Sequence, residues 1–414
     1  MRKFLIFILL FALITLTITP IAAVADGGEY VPTMAENDPE TDDVFSEEPW
    51  VEVMATANDV VGSAKSALVM EKTTGTVVFA NNEHERLAPA SVTKVMTMLL
   101  IAEAVDAGKL KLDDVVTASA NASGKGGSQI YLRENEQMTV KDMLKSIAVS
   151  SANDASVAMA EHLAGTEEAF VAKMNSRAKE LGMNDTVFSN ATGLPTTGEH
   201  LTSAYDIAVM SRELIRHGFI RDFTTIWTDT VRGGGFGLSN TNKLIRFYPG
   251  ATGLKTGFTS EAMYCLSATA ERDGVEYIAV IMGAPTSDQR FDAAKALLNN
   301  AFAGYTLVNT APAEPISPAV VSLGELSTVQ PAISAGSDKL LVTKDQAADL
   351  HRVIELADSY TAPIEKGQEI GRLKVLDATG RILADVPIIA GCDVGKLGWA
   401  DMLLKYLSVM FTGN

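Results

Sequence analysis

The sequence has few of the residues on which three common kinds of protein depend. It contains two cysteines in 414 residues, too few for a disulfide framework, so Cys265 and Cys392 are expected to be free thiols, with one bridge between them as the alternative. Its five histidines form no His-Glu-x-x-His pattern, so neither zinc nor any other cofactor is predicted. Lys and Arg number 34 against 51 acids. That balance argues against nucleic acid as a partner, because such binding depends on neutralising phosphates.

The N-terminal residues form a long apolar run. MRKFLIFILLFALITLTITPIAAVA passes from a basic start through an apolar stretch to Pro20 and a tripeptide of small residues. This pattern predicts a signal peptide over residues 1–25, cleaved after Ala25. The alternative is an uncleaved anchor, since about twenty apolar residues can span a bilayer. We therefore expect an exported protein at the extracytoplasmic face of the cell membrane.

Residues 26–59 contain eleven acids, three prolines and no Lys or Arg. Such a stretch cannot bury enough apolar surface to fold alone, so it is predicted to be an acidic linker. Over the whole chain, 47 % of residues are hydrophobic and 21 % are charged. The rest of the chain is therefore expected to be globular, with a sizeable core.

Residues 60–305 are predicted to form an α+β domain. Two β-rich runs flank a Lys-Thr-Thr-Gly turn soon after Ser66, which is typical of a hairpin. Helical periodicity follows at 91–107, 140–147, 152–163, 167–181 and 203–217, then strand-like runs at 251–256, 264–270 and 277–282, and a helix near 289–303. Because strands open and close this region, we expect its two ends to share one antiparallel sheet.

The C-terminal part shows two further patterns. Short β runs with Gly, Pro and Asp turns predict a small β domain over residues 306–392. Residues 393–414 are predicted to form an amphipathic helix, with Trp399, Met402, Leu403, Tyr406, Leu407, Met410 and Phe411 on one face. We expect this helix to lie in a membrane surface; docking against the β domain is the alternative.

A Ser-x-x-Lys pattern occurs twice, at Ser91–Lys94 and at Ser176–Lys179. Positions three apart share one face of a helix, so Lys94 can reach the hydroxyl of Ser91. The second copy resembles an exposed helix surface. Only the first copy precedes both Ser151-Ala152-Asn153 and Lys255-Thr256-Gly257, and this order makes it the candidate site.

These three motifs, in the settings APASVTKVMT, VSSANDASVAMAEHLAG and GATGLKTGFT, resemble the low-molecular-mass penicillin-binding proteins, the serine-type D-alanyl-D-alanine carboxypeptidases. The resemblance runs from about Ser66 to Ala303, and the later β domain and terminal helix are similar to that family too. It implies a penicillin-binding/β-lactamase-like catalytic domain in which Ser91 is the nucleophile. Its partners would be peptidoglycan stem peptides as substrate and β-lactams as inhibitors.

Lys94 can act as the base only if it loses its proton, and burial together with the nearby charge of Lys255 would favour that loss. Ser151 then fits a relay that carries the proton to the leaving amine. Asn153 fits an amide that orients Lys94 and holds a substrate carbonyl. The alternative for Ser151 is a helix N-cap.

The resemblance implies that Lys255 and Thr256 receive the terminal carboxylate of D-alanine, while Gly257 leaves room for a ligand backbone beside the strand. It also implies an oxyanion hole made by the N–H groups of Ser91 and Phe258, although Phe258 replaces a histidine that is frequent in the family. Arg290 is expected to help neutralise substrate carboxylates, or else to be a solvated surface residue.

The predicted activity is hydrolysis of the terminal D-Ala-D-Ala bond. One alternative is a β-lactamase, which needs a carboxylate to activate water; Glu180 is the candidate, but it continues a helix and LGM with FSNATGL matches the carboxypeptidase pattern. Another alternative is a penicillin-responsive sensor or wall-binding module, which has no need of Lys94. A Ser-His-Asp enzyme is poorly supported, because the sequence has no Gly-x-Ser-x-Gly.

Overall fold

A computed structural model describes residues 61, 64–334 and 336–412 of the chain. The predicted signal peptide over 1–25 and the linker over 26–59 lie outside these residues. The strands are β1 (Ser66–Glu71), β2 (Val77–Asn81), β3 (Val115–Thr117), β4 (Gln137–Thr139), β5 (Thr228–Val231), β6 (Phe236–Ser239), β7 (Ala251–Thr259), β8 (Met263–Arg272), β9 (Val275–Ala284), β10 (Tyr305–Asn309), β11 (Ala319–Ser322), β12 (Thr328–Val329), β13 (Pro331–Ile333), β14 (Lys339–Thr343), β15 (His351–Leu356), β16 (Tyr360–Thr361), β17 (Glu369–Leu376) and β18 (Ile382–Ala390).

The helices are α1 (Lys94–Asp106), α2 (Ala120–Ser123), α3 (Val140–Ser150), α4 (Asn153–Ala164), α5 (Glu167–Glu180), α6 (Ala204–Leu214), α7 (Arg221–Thr224), α8 (Leu244–Phe247), α9 (Ser287–Gly304), α10 (Lys344–Ala347) and α11 (Trp399–Thr412). A 3-10 turn, Ala90–Thr93, leads directly into α1. Several helices begin at a hydroxyl residue whose side chain accepts a backbone N–H three residues later, as Thr166 does from Ala169 at 3.1 Å.

The central sheet has the order β2-β1-β9-β8-β7, with antiparallel neighbours. β1 pairs with β9, so that Ala67 lies opposite Ile281. The expectation that both ends of the region share one sheet is thereby confirmed. β7, which carries the Lys255-Thr256-Gly257 motif, is an edge strand, so one side of its backbone has no neighbouring strand in the sheet.

Two cores lie on the two faces of this sheet. Alternate residues of β9 divide between them: Ile278 and Val280 join the helical core, and Ala279 and Ile281 join the core under α9. Every residue of β9 is buried, as expected for a strand covered on both faces. The motif-bearing segments all belong to the helical side or to the β7 edge.

The long helices and strands follow the sequence periodicity to within a few residues, but two small hairpins were not predicted. These are β3–β4 and β5–β6. Their strands have three or four residues each, too few for period-two alternation to be distinctive.

A smaller unit, here named the C-terminal β unit, contains β11–β13 and β15–β18 around a third core that includes Leu373 and Ile388. The ribbon β10–β14 does not share that core: Leu341 of β14 is buried with α9 in the second core. Residues after 306 are thus divided between two cores.

α11 ends the described chain, and several of its apolar side chains are in solvent. Trp399 is 78 % exposed, and Leu403, Leu404, Leu407 and Met410 are exposed as well. These side chains do not pack on the C-terminal β unit, so the docking alternative is wrong for them. Among the described residues, no helix is both long and apolar enough to cross a bilayer.

Candidate active site

Ser91 and Lys94 meet as the motif predicts. Ser91 lies in the 3-10 turn and is partly exposed, whereas Lys94, the first residue of α1, is fully buried. The Nζ atom of Lys94 donates to Ser91 Oγ at 2.8 Å and to the carbonyl oxygen of Thr192 at 2.9 Å. The predicted contact between the two side chains is confirmed.

Ser151 ends α3 in the left-handed conformation, with φ of 61°. The predicted N-cap is wrong: α4 begins at Asn153, and its N-cap residue is Ala152, which offers no side-chain hydrogen bond. The Ser151 Oγ atom is buried, and it has no hydrogen-bond partner within the described part of the chain. Such a hydroxyl costs free energy unless a ligand or water satisfies it, so it is available for chemistry.

Asn153 is held by its amide nitrogen and its backbone. Its Nδ2 donates to Gly126 O and its N–H donates to Ser128 O, both at 2.7 Å. Its Oδ1 is buried and accepts no hydrogen bond from any described residue. The predicted orientation of Lys94 by Asn153 is therefore not found, because the Thr192 carbonyl makes that contact. The free amide oxygen remains available for a substrate N–H.

Lys255 and Thr256 are almost completely buried on β7. Lys255 Nζ donates to Thr256 O at 2.9 Å, and Thr256 Oγ1 donates to Thr241 Oγ1 at 2.6 Å. The N–H of Thr241 in turn donates to Val149 O at 3.2 Å, two residues before Ser151. These bonds tie the motif on β7 to the end of α3.

Gly257 has a role that was not predicted. A Cβ atom there would lie 2.8 Å from Pro89 O and 3.0 Å from Ser91 N. The missing side chain makes room for the backbone of the nucleophile turn, and room for a ligand backbone beside the strand remains a prediction. Glycine thus lets the edge strand approach Ser91 closely.

Phe258 follows Gly257 on β7, and its ring packs against that of Tyr264 at a tilt, with 4.4 Å between centroids. Residues along an edge strand alternately direct their backbone groups away from the sheet. Gly257, the residue before Phe258, lies against Ser91 N, so the strand that carries the Phe258 N–H runs beside the turn that carries the Ser91 N–H. Their role as an oxyanion hole remains a prediction.

Arg290 has no exposed surface, so the alternative of a solvated arginine is wrong. It lies at the start of α9, and Nη1 donates to Cys265 O at 3.2 Å and Gly257 O at 3.4 Å, while Nη2 donates to Ser287 Oγ at 3.2 Å. These three hydrogen bonds go to protein groups, and the expected help of Arg290 in neutralising substrate carboxylates remains a prediction. Arg290 supports the strand that carries Lys255 and Thr256, and places a positive charge behind it.

A cavity of about 210 Å³ opens beside the nucleophile turn. Its walls come from Pro89 and Ala90, from the loop 193–201 and from the end of β7, with Glu199 and Glu261 at its rim. Glu199 pairs with Arg86 at 2.9 Å. The cavity therefore lies beside the turn that carries the nucleophile, and its lining includes Thr259, the last residue of β7.

The comparison with known proteins agrees with this geometry. The profile of the D-alanyl-D-alanine carboxypeptidase family, peptidase S11, matches residues 52–286. The chain belongs to this family. As a member it is a serine-type D-alanyl-D-alanine carboxypeptidase with the penicillin-binding fold, and the predicted family, fold class and activity are confirmed.

Similar proteins cover most of the chain. The carboxypeptidase DacF of Bacillus subtilis (strain 168) is 44 % identical over 355 residues, 84 % of this chain and 90 % of its own length. The crystal structure of penicillin binding protein 5 from Haemophilus influenzae superposes with a TM-score of 0.73 at 30 % identity, covering 81 % of this chain and 98 % of that one. A profile described as the penicillin-binding protein 5 C-terminal domain matches residues 318–396.

Two sequence features that could have suggested a different site or activity lie on the surface. Ser176 and Lys179 are exposed on α5, as expected for the second Ser-x-x-Lys. Glu180, the candidate carboxylate of a β-lactamase, is exposed at the end of the same helix and pairs with Arg177 at 3.1 Å. Neither contributes to the carboxypeptidase cleft.

Three supporting residues of the carboxypeptidase site were missed. Thr192 contributes a carbonyl, for which a side-chain motif gives no signal. Asn190 Oδ1 holds this loop by accepting the N–H groups of Thr192 at 3.0 Å and Gly193 at 2.7 Å. Thr241 stands between two buried asparagines in Asn240-Thr241-Asn242, and this run of polar residues directly after β6 was the available signal.

Proposed function

We propose that Ser91 Oγ attacks the carbonyl carbon of the terminal D-Ala-D-Ala bond of a peptidoglycan stem peptide. The single observation that supports this most strongly is the 2.8 Å contact between Ser91 Oγ and the buried Lys94 amine. Full burial disfavours the ammonium form of a lysine, and an uncharged Lys94 takes the hydroxyl proton as the C–O bond forms.

The substrate lies along the open edge of β7. Its terminal carboxylate binds near Lys255 and Thr256. The developing oxyanion accepts hydrogen bonds from the N–H groups of Ser91 and Phe258. Donors of this kind are each worth about 10²–10³ in rate. The free Oδ1 of Asn153 accepts an N–H from the peptide.

The C–N bond then breaks and D-alanine leaves. Its amine needs a proton, which passes from Lys94 through the hydroxyl of Ser151. The partnerless Oγ of Ser151 supports this step, because it can accept one hydrogen bond and donate another. Water next attacks the ester at Ser91 and releases the shortened peptide.

β-Lactams are proposed to acylate the same Ser91 and to leave slowly. A related protein, penicillin-binding protein D2 from Listeria monocytogenes, has a structure in an ampicillin-bound form, with 32 % identity, a TM-score of 0.54, and coverage of 58 % of this chain and 98 % of that one. Efficient β-lactamase activity is not expected, because Glu180 lies on the surface of α5.

We also propose that the enzyme is exported and held at the extracytoplasmic face of the membrane. The pattern of residues 1–25 supports export. The exposed apolar side chains of α11, among them Trp399, support contact with a membrane surface. A chain that ends before Lys396 and still fractionates with membranes would assign the attachment to residues 1–25 instead.

Purified wild type and Ser91→Ala distinguish the possibilities. The wild type is expected to bind a fluorescent penicillin covalently and to release D-alanine from a pentapeptide ending in D-Ala-D-Ala, and Ser91→Ala is expected to do neither. Penicillin labelling without D-alanine release would instead indicate a sensor. Labelling of Ser91→Ala would place the nucleophile elsewhere.

A further inference from the structure

The peptide bond between Ala90 and Ser91 has an unusual conformation. Ala90 has a φ of +47°, a left-handed value that alanine seldom adopts. In a trans peptide the carbonyl oxygen and the N–H point in opposite directions. The orientation of Ala90 O therefore determines where the N–H of Ser91 points, and that N–H is one of the two donors of the proposed oxyanion hole.

The oxygen of Ala90 is held from behind by Thr93. Thr93 Oγ1, fully buried, donates to Ala90 O at 2.8 Å. Its own oxygen lies 2.8 Å from His200 Nε2. A hydroxyl that donates through its one proton must accept from another donor, so the hydrogen at this contact belongs to the imidazole.

The other nitrogen of His200 fixes its tautomer. The N–H of Ser189 donates to His200 Nδ1 at 3.0 Å, so Nδ1 carries no proton and Nε2 does. Three hydrogen bonds thus run in series, from Ser189 N–H to His200, from His200 to Thr93, and from Thr93 to Ala90 O. Bonds in such a chain polarise one another in the same direction.

Gly193 closes the remaining space around the same oxygen. A Cβ atom at 193 would lie 1.8 Å from Ala90 O and 2.8 Å from Thr93 Oγ1. The loop that contains Gly193 also supplies Thr192 O to Lys94. The carbonyl of Ala90 is thus enclosed and has one position available to it.

We propose that Thr93 and His200 are positioning residues that hold the Ala90–Ser91 peptide so that the N–H of Ser91 points into the cleft at the substrate oxyanion. Neither residue touches the substrate; both act through Ala90. The inference rests on the proposed reaction at Ser91.

The surroundings keep His200 neutral and in this tautomer. Its ring is packed edge-on to Phe188, with 5.8 Å between centroids, and burial lowers its pKa to about 4. The ionisable groups beside its loop include Lys94, which donates to Thr192 O, and Glu167, which accepts from Ala191 N–H. Glu199, which pairs with Arg86, and Glu261 line the same cavity. A protonated ring could not accept from Ser189, so the series of bonds requires the neutral form.

Thr93→Ala and Thr93→Ser form a matched pair, because both lose the methyl group and only alanine loses the hydroxyl. Loss of one oxyanion donor costs about 10²–10³ in rate, and loss of its alignment is expected to cost part of that. We expect Thr93→Ala to lower the limiting rate of acylation by a β-lactam by about 10- to 100-fold. Thr93→Ser should stay within about 3-fold of wild type.

A spectroscopic measurement separates positioning from a general loss of structure. In the acyl-enzyme, hydrogen bonds from the oxyanion hole lower the stretching frequency of the ester carbonyl at Ser91. Infrared difference spectra are expected to show a higher frequency in Thr93→Ala and a frequency near that of wild type in Thr93→Ser. The dissociation constant before acylation should be similar in all three proteins.

His200→Phe and His200→Gln provide the second pair. Phenylalanine keeps the ring packing and removes both hydrogen bonds, whereas the glutamine amide can still donate to Thr93. We expect slower acylation and a higher carbonyl frequency in His200→Phe, with partial recovery in His200→Gln. This pair keeps the test decisive if Thr93→Ala does not fold.

The inference is overturned if Thr93→Ala and His200→Phe are acylated as fast as wild type. It is also overturned if their acylation is slower but the carbonyl frequency is unchanged. A wild type that is not acylated at all would instead disprove the proposed reaction. The two failures are therefore distinguishable.

Discussion

Three basic side chains are buried around the cleft, whereas most charged side chains of the C-terminal β unit reach solvent. Lys94, Lys255 and Arg290 are at most 1 % exposed, whereas Lys374 pairs with Glu355 at 2.7 Å on an exposed strand surface. Burying a charge costs several kcal/mol unless partners offset the cost. The chain therefore retains costly buried basic groups at the cleft, where its chemistry takes place, and not in the C-terminal β unit.

The cleft also leaves polar atoms without partners. The Ser151 Oγ and Asn153 Oδ1 atoms are both buried with no hydrogen-bond partner in the described residues. In the C-terminal β unit, by contrast, the turn residue Asp377 accepts from Thr379 and Arg381, which is the ordinary chemistry of a tight turn. Substitutions in the two regions should therefore affect stability and activity in different proportions.

The largest effect is expected for Lys94→Met. Loss of a general base lowers the acylation rate by about 10²–10⁴-fold. The free energy of unfolding should change by less than about 2 kcal/mol, because removing a buried amine offsets the lost bond to Thr192 O. Stopped-flow acylation and urea denaturation measure the two quantities. Lys179→Met, in the exposed Ser-x-x-Lys, is the control and should alter neither; equal rates for both variants would remove Lys94 from the mechanism.

Gly193→Ala should reduce stability and activity together. The new Cβ would meet Ala90 O at 1.8 Å, and φ at 193 is +82°, so the backbone around the nucleophile must move at a cost of about 3 kcal/mol or more. Gly380→Ala has a similar φ of +83° but open space around it, and should cost only about 1 kcal/mol. Thermal unfolding of both variants tests this; equal losses would show that backbone strain, and not the contact, determines the effect.

His200 should make stability depend on pH in the acidic range. Its pKa is about 4 in the folded protein because of burial, against about 6.5 in an unfolded chain. Between these values only the unfolded chain binds the proton, so the free energy of unfolding falls as pH falls, by about 3 kcal/mol from pH 7 to pH 4.

The measurement is urea denaturation of wild type and His200→Gln at several pH values. The difference between the two proteins isolates His200 from the buried carboxyls Asp154 and Asp206, whose pKa values are raised by burial. Parallel stability curves for the two proteins would contradict the expectation.

The smallest effect is expected for Lys374→Met in the C-terminal β unit. A partly exposed ion pair such as that of Lys374 with Glu355 contributes about 0–1 kcal/mol, and Lys374 lies on β17, in a different sheet from the one that contains β7. Unfolding free energy should change by no more than this, and the acylation rate should be that of wild type. A larger loss of stability or of acylation rate would contradict the difference drawn between the cleft and the C-terminal β unit.

Much of this arrangement could be predicted from the sequence, for identifiable reasons. The spacing of Ser91 and Lys94 determines a contact within one helical turn, and the strand pattern around Lys255 determines its place on a sheet. Both are local properties of the chain. The sharing of one sheet by β1 and β9 followed from the order of strands and helices.

What could not be predicted depends on backbone groups and on contacts between distant segments. Thr192 acts through its carbonyl, and Gly257 makes room for Pro89 and Ser91, which lie more than 160 positions earlier. The burial of Arg290 was not predicted, because a charged residue on an amphipathic helix is usually exposed. Sequence periodicity does not reveal that backbone carbonyls of β7 and β8 accept hydrogen bonds from Arg290.

The pairing of β1 with β9 has a consequence for the newly made chain. The paired residues are separated by about 200 positions, a length that takes about 10 to 40 s to synthesise at about 5–20 residues per second. Until then the nucleophile segment has no β7 against which to pack, and its amide donors are not aligned. Reactivity toward penicillin should therefore arise late, in a single step when the last strands of the sheet dock, and ribosome-bound chains that end before β7 should resist acylation.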